Sequence, residues 1–224
     1  MDEDLEAIGL LQDPARRALY AYVVAQGQRQ VGRAEAAQAA GVQRTLAAFH
    51  LDRLARAGLL EVAYRRREGR SGRGAGRPAK LYRRAASARS ISLPPRDYVL
   101  AATTFAEAIE RSGAEVALYS AARERGVRAG RGLCADSSFA SIADVMSHLA
   151  ERGYEPHLEG TAIRLRNCPF QVVAGEFPVL ACGMNLALLE GVLDGAGLSA
   201  RHTAQMEPRA GECCVALVSK TNQD

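Results

Sequence analysis

The chain has 224 residues, 48% of them hydrophobic, with 29 Lys/Arg against 25 Asp/Glu and a net charge of +4. That is enough apolar material for a proper core, and the length favours two small domains over one. No run of about 18 apolar residues is read, so no transmembrane helix and no membrane partner are expected, and the acidic start "MDEDLEAIGLL" lacks the basic and then apolar make-up of an export signal.

The expected location is therefore cytoplasmic. Thiols stay reduced there, and cysteine groupings mean metal or redox chemistry more often than disulfides. The charge is unevenly divided. Residues 1–92 hold 17 Arg/Lys against 9 Asp/Glu, while the remainder holds 12 against 16. A basic half joined to a mildly acidic half suggests a polyanion-binding module attached to something with another task.

In chain order, "DPARRALYAYVVAQGQ" begins with Asp13 as an N-cap and Pro14 at the first helical position. Leu19, Tyr22 and Val23 follow at helical spacing. "VGRAEAAQAAGV" reads as a short helix ended at Gly41, and "QRTLAAFHLDRLARAGLL" as a second helix stopped at Gly58. Leu46, Leu51 and Leu54 are expected on the inner face of that second helix. Two short helices meeting at a Gly-containing turn make a helix-turn-helix candidate. "LLEVAYRRREGRSGRGAGRPAKLYRR" then alternates apolar and polar residues, breaks into a Gly/Arg stretch and returns through "AKLYRR". That reads as a β-hairpin with a long basic tip, the wing of a winged helix.

Over residues 10–84, "GVQRTLAAFHLDRLARAGLL" followed by "GRPAKLYR" resembles the winged-helix domain of ArsR-type bacterial regulators. The resemblance implies that the second helix enters the DNA major groove with its first turns. Gln43, Arg44 and Thr45 are then the base-edge or phosphate candidates. His50 and Arg53 also come within reach, with packing against the preceding helix as the other reading for His50. On the wing, Arg70, Arg73, Arg77 and Lys80 are expected to neutralise phosphates or probe the minor groove. Read as an isolated run, the same Arg/Gly stretch is a solvated loop.

"ISLPPRDY" carries two prolines and marks a boundary, placed here between residues 92 and 93. "RDYVLAATTFAEAIERSGAEVALYSAARERGVRAG" reads as one long helix, or two broken near Ser112–Gly113. Its apolar stripe has two uses open to it: packing on its own domain, or forming a homodimer, since winged-helix regulators bind near-palindromic sites as two-fold dimers. An α-β-β-α-β-β run follows, with helices in "SFASIADVMSHLAERG" and "GMNLALLEGVLDGAG" and strands in "YEPHLEG", "TAIRLRN", "SARHTAQM" and "CCVALVS". The fold class expected is α+β: a winged helix-turn-helix domain over 1–92, then over 93–224 a long linking helix and a small α/β sensor domain with an antiparallel sheet.

The five cysteines are Cys134, Cys168, Cys182, Cys213 and Cys214. Cys134 reads as a small apolar core residue. Cys168 is expected to end a strand, and Cys182 to sit at a helix start, where free N–H groups and the helix dipole favour a thiolate. Cys213 and Cys214 are expected to open the last strand. Strand alternation sends neighbours to opposite faces, which favours Cys213 as the inward thiol and keeps Cys214 as a second candidate. Thirteen residues separate Cys168 from Cys182 and thirty separate Cys182 from Cys213. Such spacing suits a pocket built from distant elements better than a zinc knuckle.

Over residues 140–218, "NCPF…CGMNLALLEG…CCVAL" resembles the C-terminal sensor region of SufR-type regulators. That resemblance implies an iron–sulfur cluster, 2Fe-2S or 4Fe-4S, held by Cys168, Cys182, Cys213 and Cys214. It also implies a repressor of genes for cluster assembly and oxidative stress. The SufR-type pattern often has a further cysteine that this chain lacks between Cys182 and Cys213, so a fourth ligand would be Cys214, an acidic side chain, His202 as a weaker candidate, or nothing from the protein. The region is also similar to vinyl-reductase-like ligand-binding domains, which leaves zinc or a small organic effector as the alternative to a cluster. The function expected is a transcriptional regulator and not an enzyme: no histidine stands in a relation to a cysteine that would activate a nucleophile.

Overall fold

The computed structural model describes residues 2–65, 78–87, 89–134 and 139–220. The chain is mixed α+β with antiparallel sheets. It divides into two units, Met1–Arg96 and Asp97–Asp224. The division falls four residues beyond the position read from the prolines, where the Asp97 side chain accepts from the Leu100 N–H at 2.8 Å and starts a helix.

The first unit opens with α1 (Asp2–Gly9) and a 3-10 turn at Leu10–Gln12. Asp13 accepts from the Arg16 N–H at 2.9 Å, and Pro14 presets the first turn of α2 (Pro14–Ala25). The two-residue strand β1 (Val31–Gly32) leads into α3 (Arg33–Ala39). Gly41 turns the chain at φ +65° into α4 (Arg44–Arg56), and Gly58 at φ +73° ends that helix before β2 (Leu60–Arg65). β3 (Ala79–Arg84) returns antiparallel to β2, with Leu60 opposite Arg84 and Arg65 opposite Ala79. The other edge of β3 pairs with β1, Val31 opposite Tyr82, giving the order β1-β3-β2.

Leu19 and Val23 of α2, Ala36 of α3, Ala47, Leu51 and Leu54 of α4 and Tyr82 of β3 form one buried core. Leu46 does not join Leu51 and Leu54 there; it is 42% exposed. At about 100° per residue, the five positions from Leu46 to Leu51 turn its side chain away from the core face. Its place is taken by Ala47 and His50, both buried.

The second unit holds α5 (Tyr98–Ser112), α6 (Glu115–Arg131), α7 (Ile142–Glu151), β4 (Pro156–Glu159), β5 (Ala162–Leu165), α8 (Gln171–Glu176), α9 (Pro178–Gly195), β6 (His202–Met206) and β7 (Val215–Ser219). Gly113 at φ +66° breaks the long helical stretch into α5 and α6. A reciprocal capping box between Ser141 and Asp144 starts α7. The strands form a four-stranded antiparallel sheet in the order β4-β5-β7-β6.

α9 is the centre of this unit. It lies backbone to backbone on α6: a Cβ on Gly191 would come within 2.2 Å of the Arg123 carbonyl oxygen, and one on Gly126 within 2.1 Å of the Leu188 carbonyl oxygen. Its other residues Leu189, Val192 and Leu193 enter a core shared with Val145, Leu149, Leu165, Val215 and Leu217. α9 has the length and mean hydropathy, 1.2, of a membrane span, although no such span is read from the sequence. Its burial within this core accounts for that composition.

Candidate functional site

Four thiols from three separate segments meet beside α9. Cys168 lies in the loop after β5, three residues beyond its end, rather than closing the strand. Cys182 projects from α9, and Cys213 and Cys214 immediately precede β7. They form two pairs. Cys182 Sγ is 2.9 Å from Cys214 Sγ, and the Cys213 side chain is hydrogen-bonded to that of Cys168. Because Cys213 and Cys214 precede the strand, alternation does not drive them apart, and both reach the same face of α9.

The helix does not begin where the sequence suggests. Pro178 is its first residue, so Cys182 is fifth and lies beyond the four unpaired N–H groups of the N-terminus. The expected thiolate-favouring dipole is therefore missing. Burial pushes the Cys182 thiol up to about 12, and its hydrogen bond to Cys214 adds to the shift.

The other pair is polarised. The hydrogen bond from Cys213 lowers Cys168 to about 7, against the effect of burial and with help from a backbone hydrogen bond to Phe170. Cys213 rises in consequence, held protonated by its bond to Cys168 and by burial. Behind it stands a buried relay. The Tyr154 hydroxyl donates to Asn185 Oδ1 at 2.7 Å, and Asn185 Nδ2 donates to Cys213 Sγ at 3.2 Å. Asn185 follows Cys182 by three positions on α9, so one helix face supplies both a thiol and an amide donor to the pocket.

The turn carrying the cysteine pair is held by Arg164 of β5, only 1% exposed. Its Nη1 donates to Glu207 Oε2 at 2.8 Å, its Nη2 to the Glu207 carbonyl at 3.1 Å, and its Nε to Glu212 Oε2 at 3.1 Å. Glu207 and Glu212 bracket the β6–β7 turn. The Cys213 N–H bonds the Leu165 carbonyl at 2.8 Å, and the Glu207 N–H the Cys214 carbonyl at 2.7 Å.

His202 falls outside this group. The register sets it opposite Ser219, whereas Val215, which follows Cys214, pairs with Met206. Four residues of strand, about 13 Å, lie between. Cys134 is also elsewhere, its Sγ 3.6 Å from the carbonyl oxygens of Gly130 and Gly195.

Thiolates are soft ligands suited to iron–sulfur clusters or zinc. Among the described residues no three His, Cys, Asp or Glu side chains are already gathered as a set for one metal ion. The thiols stand as two contacting pairs.

In the first unit, Gln43, Arg44, Thr45 and Arg53 are all exposed on α4, with Gln43 at the N-cap position. Neither Arg44 nor Arg53 forms an ion pair among the described residues. His50 does not join them. It faces inward, 7% exposed, with its ring edge-on to Phe49 at 5.4 Å. Lys80 is already engaged: Asp52 of α4 binds its ammonium, accepts from the Tyr82 hydroxyl at 2.6 Å and pairs with Arg33. This knot ties α4 to β3. Arg70, Arg73 and Arg77 lie outside the described residues.

The sequence reading missed Asn185, Tyr154, Arg164 and Asp52. Asn185 had a visible signal, a lone amide inside the apolar run "GMNLALLEG". No protein-family model, no curated protein and no solved structure compared with the chain matches it.

Proposed function

We propose that this chain is a cytoplasmic, homodimeric transcriptional regulator. Its first unit is a winged helix that binds operator DNA through α4 and the β2–β3 hairpin, and its second is a sensor holding an iron–sulfur cluster on Cys168, Cys182, Cys213 and Cys214. It is not an enzyme on this reading. The observation that carries the sensor half is the convergence of four thiols, distant in sequence, into two contacting pairs beside α9. The DNA-binding half rests on the exposed face of α4, the antiparallel hairpin after it, and the surplus of eight positive charges over residues 1–92.

A bound cluster would supply one-electron redox chemistry and sensitivity to oxidants. The chain's own contribution is separate. Cys168 offers a thiolate near neutral pH, Asn185 directs a donor at Cys213, and Arg164 fixes the turn that presents Cys213 and Cys214. A coupling of about 1–3 kcal/mol between the state of the sensor and DNA affinity is enough for control, and repression is the mode the sequence resemblance implies. For the dimer, α5 leaves Tyr98 and Phe105, two helical turns apart on one face, exposed and available to a second copy.

Anaerobic purification tests the proposal. The protein should be coloured and carry iron and acid-labile sulfide in equal amounts, both lost in Cys182→Ser and Cys213→Ser variants that remain folded. A colourless, iron-free, folded protein containing zinc would replace the cluster with the zinc reading. DNA binding should weaken steeply with salt, as phosphate neutralisation requires.

A further inference from the structure

The core face of α4 is complete without two of its largest apolar side chains. Ala47, His50, Leu51 and Leu54 fill it, while Leu46 and Phe49 stand 42% and 54% exposed. At about 100° per residue, Phe49 lies near the middle of the outward face, with Thr45 on one side and Leu46 and Arg53 on the other. All are exposed. The Phe49 ring is steadied by the edge of the buried His50 ring, at an interplanar angle of 62°. An apolar pair is thus presented in a set orientation beside the exposed cation of Arg53, on a helix that also carries Arg44 and Arg56.

This combination selects among occupants. A cationic helix fits a polyanion, and the major groove of B-DNA, roughly 12 Å wide, admits one α-helix. The floor of that groove is polar at every base pair except for one apolar group, the C5 methyl of thymine. Resting on the DNA-binding reading above, we propose that Leu46 and Phe49 read thymine methyl groups in the major groove, making them specificity-determining residues of this protein. Gln43, Arg44 and Thr45 would take the hydrogen-bonding edges and phosphates, and the two apolar side chains the methyls between them.

The test uses the full-length protein. Bound duplexes are enriched from a random-sequence pool, and the best one is resynthesised with uracil in place of thymine, which removes the methyl and nothing else. Wild type should lose about fourfold in affinity per contacted methyl, the cost of leaving one such group unburied. Phe49→Ala should bind the thymine duplex more weakly and no longer distinguish it from the uracil duplex. Leu46→Ala should lose discrimination at a different thymine. Both side chains are exposed, so both variants should keep the wild-type melting temperature. Equal binding of thymine and uracil duplexes by wild type overturns this inference while leaving the DNA-binding reading in place. A Phe49→Ala variant that dissociates into monomers but keeps its thymine preference puts the patch in a protein interface and also overturns it. Failure to enrich any duplex overturns both.

Discussion

Cys182 and Cys214 place their Sγ atoms 2.9 Å apart although 32 positions separate them along the chain. The contact exists because α9 and the β6–β7 turn are each pinned independently, one by backbone packing on α6 and the other by Arg164. Two thiols held this way need little movement to join. In metal-free protein, hydrogen peroxide should oxidise them to a disulfide: the thiols surrender two electrons and two protons, and peroxide leaves as two waters. Peptide mapping after alkylation should find the Cys182–Cys214 crosslink ahead of any involving Cys134. A crosslink formed mainly between Cys134 and another cysteine would contradict the geometry.

Asn185, on the same face of α9 as Cys182, supports Cys213. Asn185→Leu keeps the volume close to native but removes the donor to Cys213 and strands the buried Tyr154 hydroxyl. The expected cost is about 1–3 kcal/mol, read by urea denaturation of the metal-free protein. Tyr154→Phe in the same background should recover part of it, because no hydroxyl then lacks a partner. In cluster-loaded protein Asn185→Leu should also lower the reduction potential, since an N–H donated to a ligand sulfur favours the more negative, reduced state.

The parts of the fold legible in sequence were those decided locally. Asp13–Pro14 marks a helix start, Gly41 and Gly58 mark turns, and the alternation on either side of the Gly/Arg stretch marks a hairpin. Elements decided by distant partners were not legible. Val31–Gly32 is a strand only because β3 offers an edge, and two residues carry no periodicity. α1 shows its charge in the sequence more plainly than its helix. The Pro178 start signal was in the sequence, but the helix was begun at Gly183, which put Cys182 in the wrong electrostatic setting. Leu46 belongs to the same run of leucines as Leu51 and Leu54 but not to their side of the helix. The site itself was half legible: residue types and spacing named the four thiols, whereas their pairing, and the roles of Asn185 and Arg164, depend on how α9 meets the sheet.

Arg164 departs from strand alternation. Ile163, Arg164 and Leu165 are all buried, because the β6–β7 turn folds over the face that would otherwise be open to water. Arg164→Met should keep the packing of the stem and lose both ion pairs. Removing one partner of a fully buried pair costs about 3–5 kcal/mol; here Glu212 and Glu207 retain 21% and 39% exposure, so water rescreens them and the loss should be about 2 kcal/mol. The sharper effect should be local. Hydrogen exchange at the amides of Cys213 and Glu207, which close the turn, should speed up well before exchange in α9 changes.

The Asp52 knot gives the first unit a defined acid sensitivity. Burial on its own would raise the Asp52 carboxyl, but hydrogen bonds from Lys80 and Tyr82 and the charges of Lys80 and Arg33 outweigh it and leave the group below its ordinary value of 3.8. A carboxyl lowered on folding stabilises the native state at pH values above its unfolded pKa, and that contribution disappears as pH falls through the lower folded value. Asp52→Asn should therefore destabilise the protein at pH 7, where the native carboxylate is fully charged. The gap between wild type and variant should stay nearly constant down to about pH 4 and then close. Thermal melts of both proteins from pH 7 to pH 2.5 would check this, with the wild-type acid limb the steeper of the two. Lys80→Met should remove most of the same pH dependence without touching the carboxyl, because the ammonium is the first of the partners that hold Asp52 ionised. A Lys80→Met protein with an unchanged acid limb would move the origin of the effect to Tyr82 and Arg33.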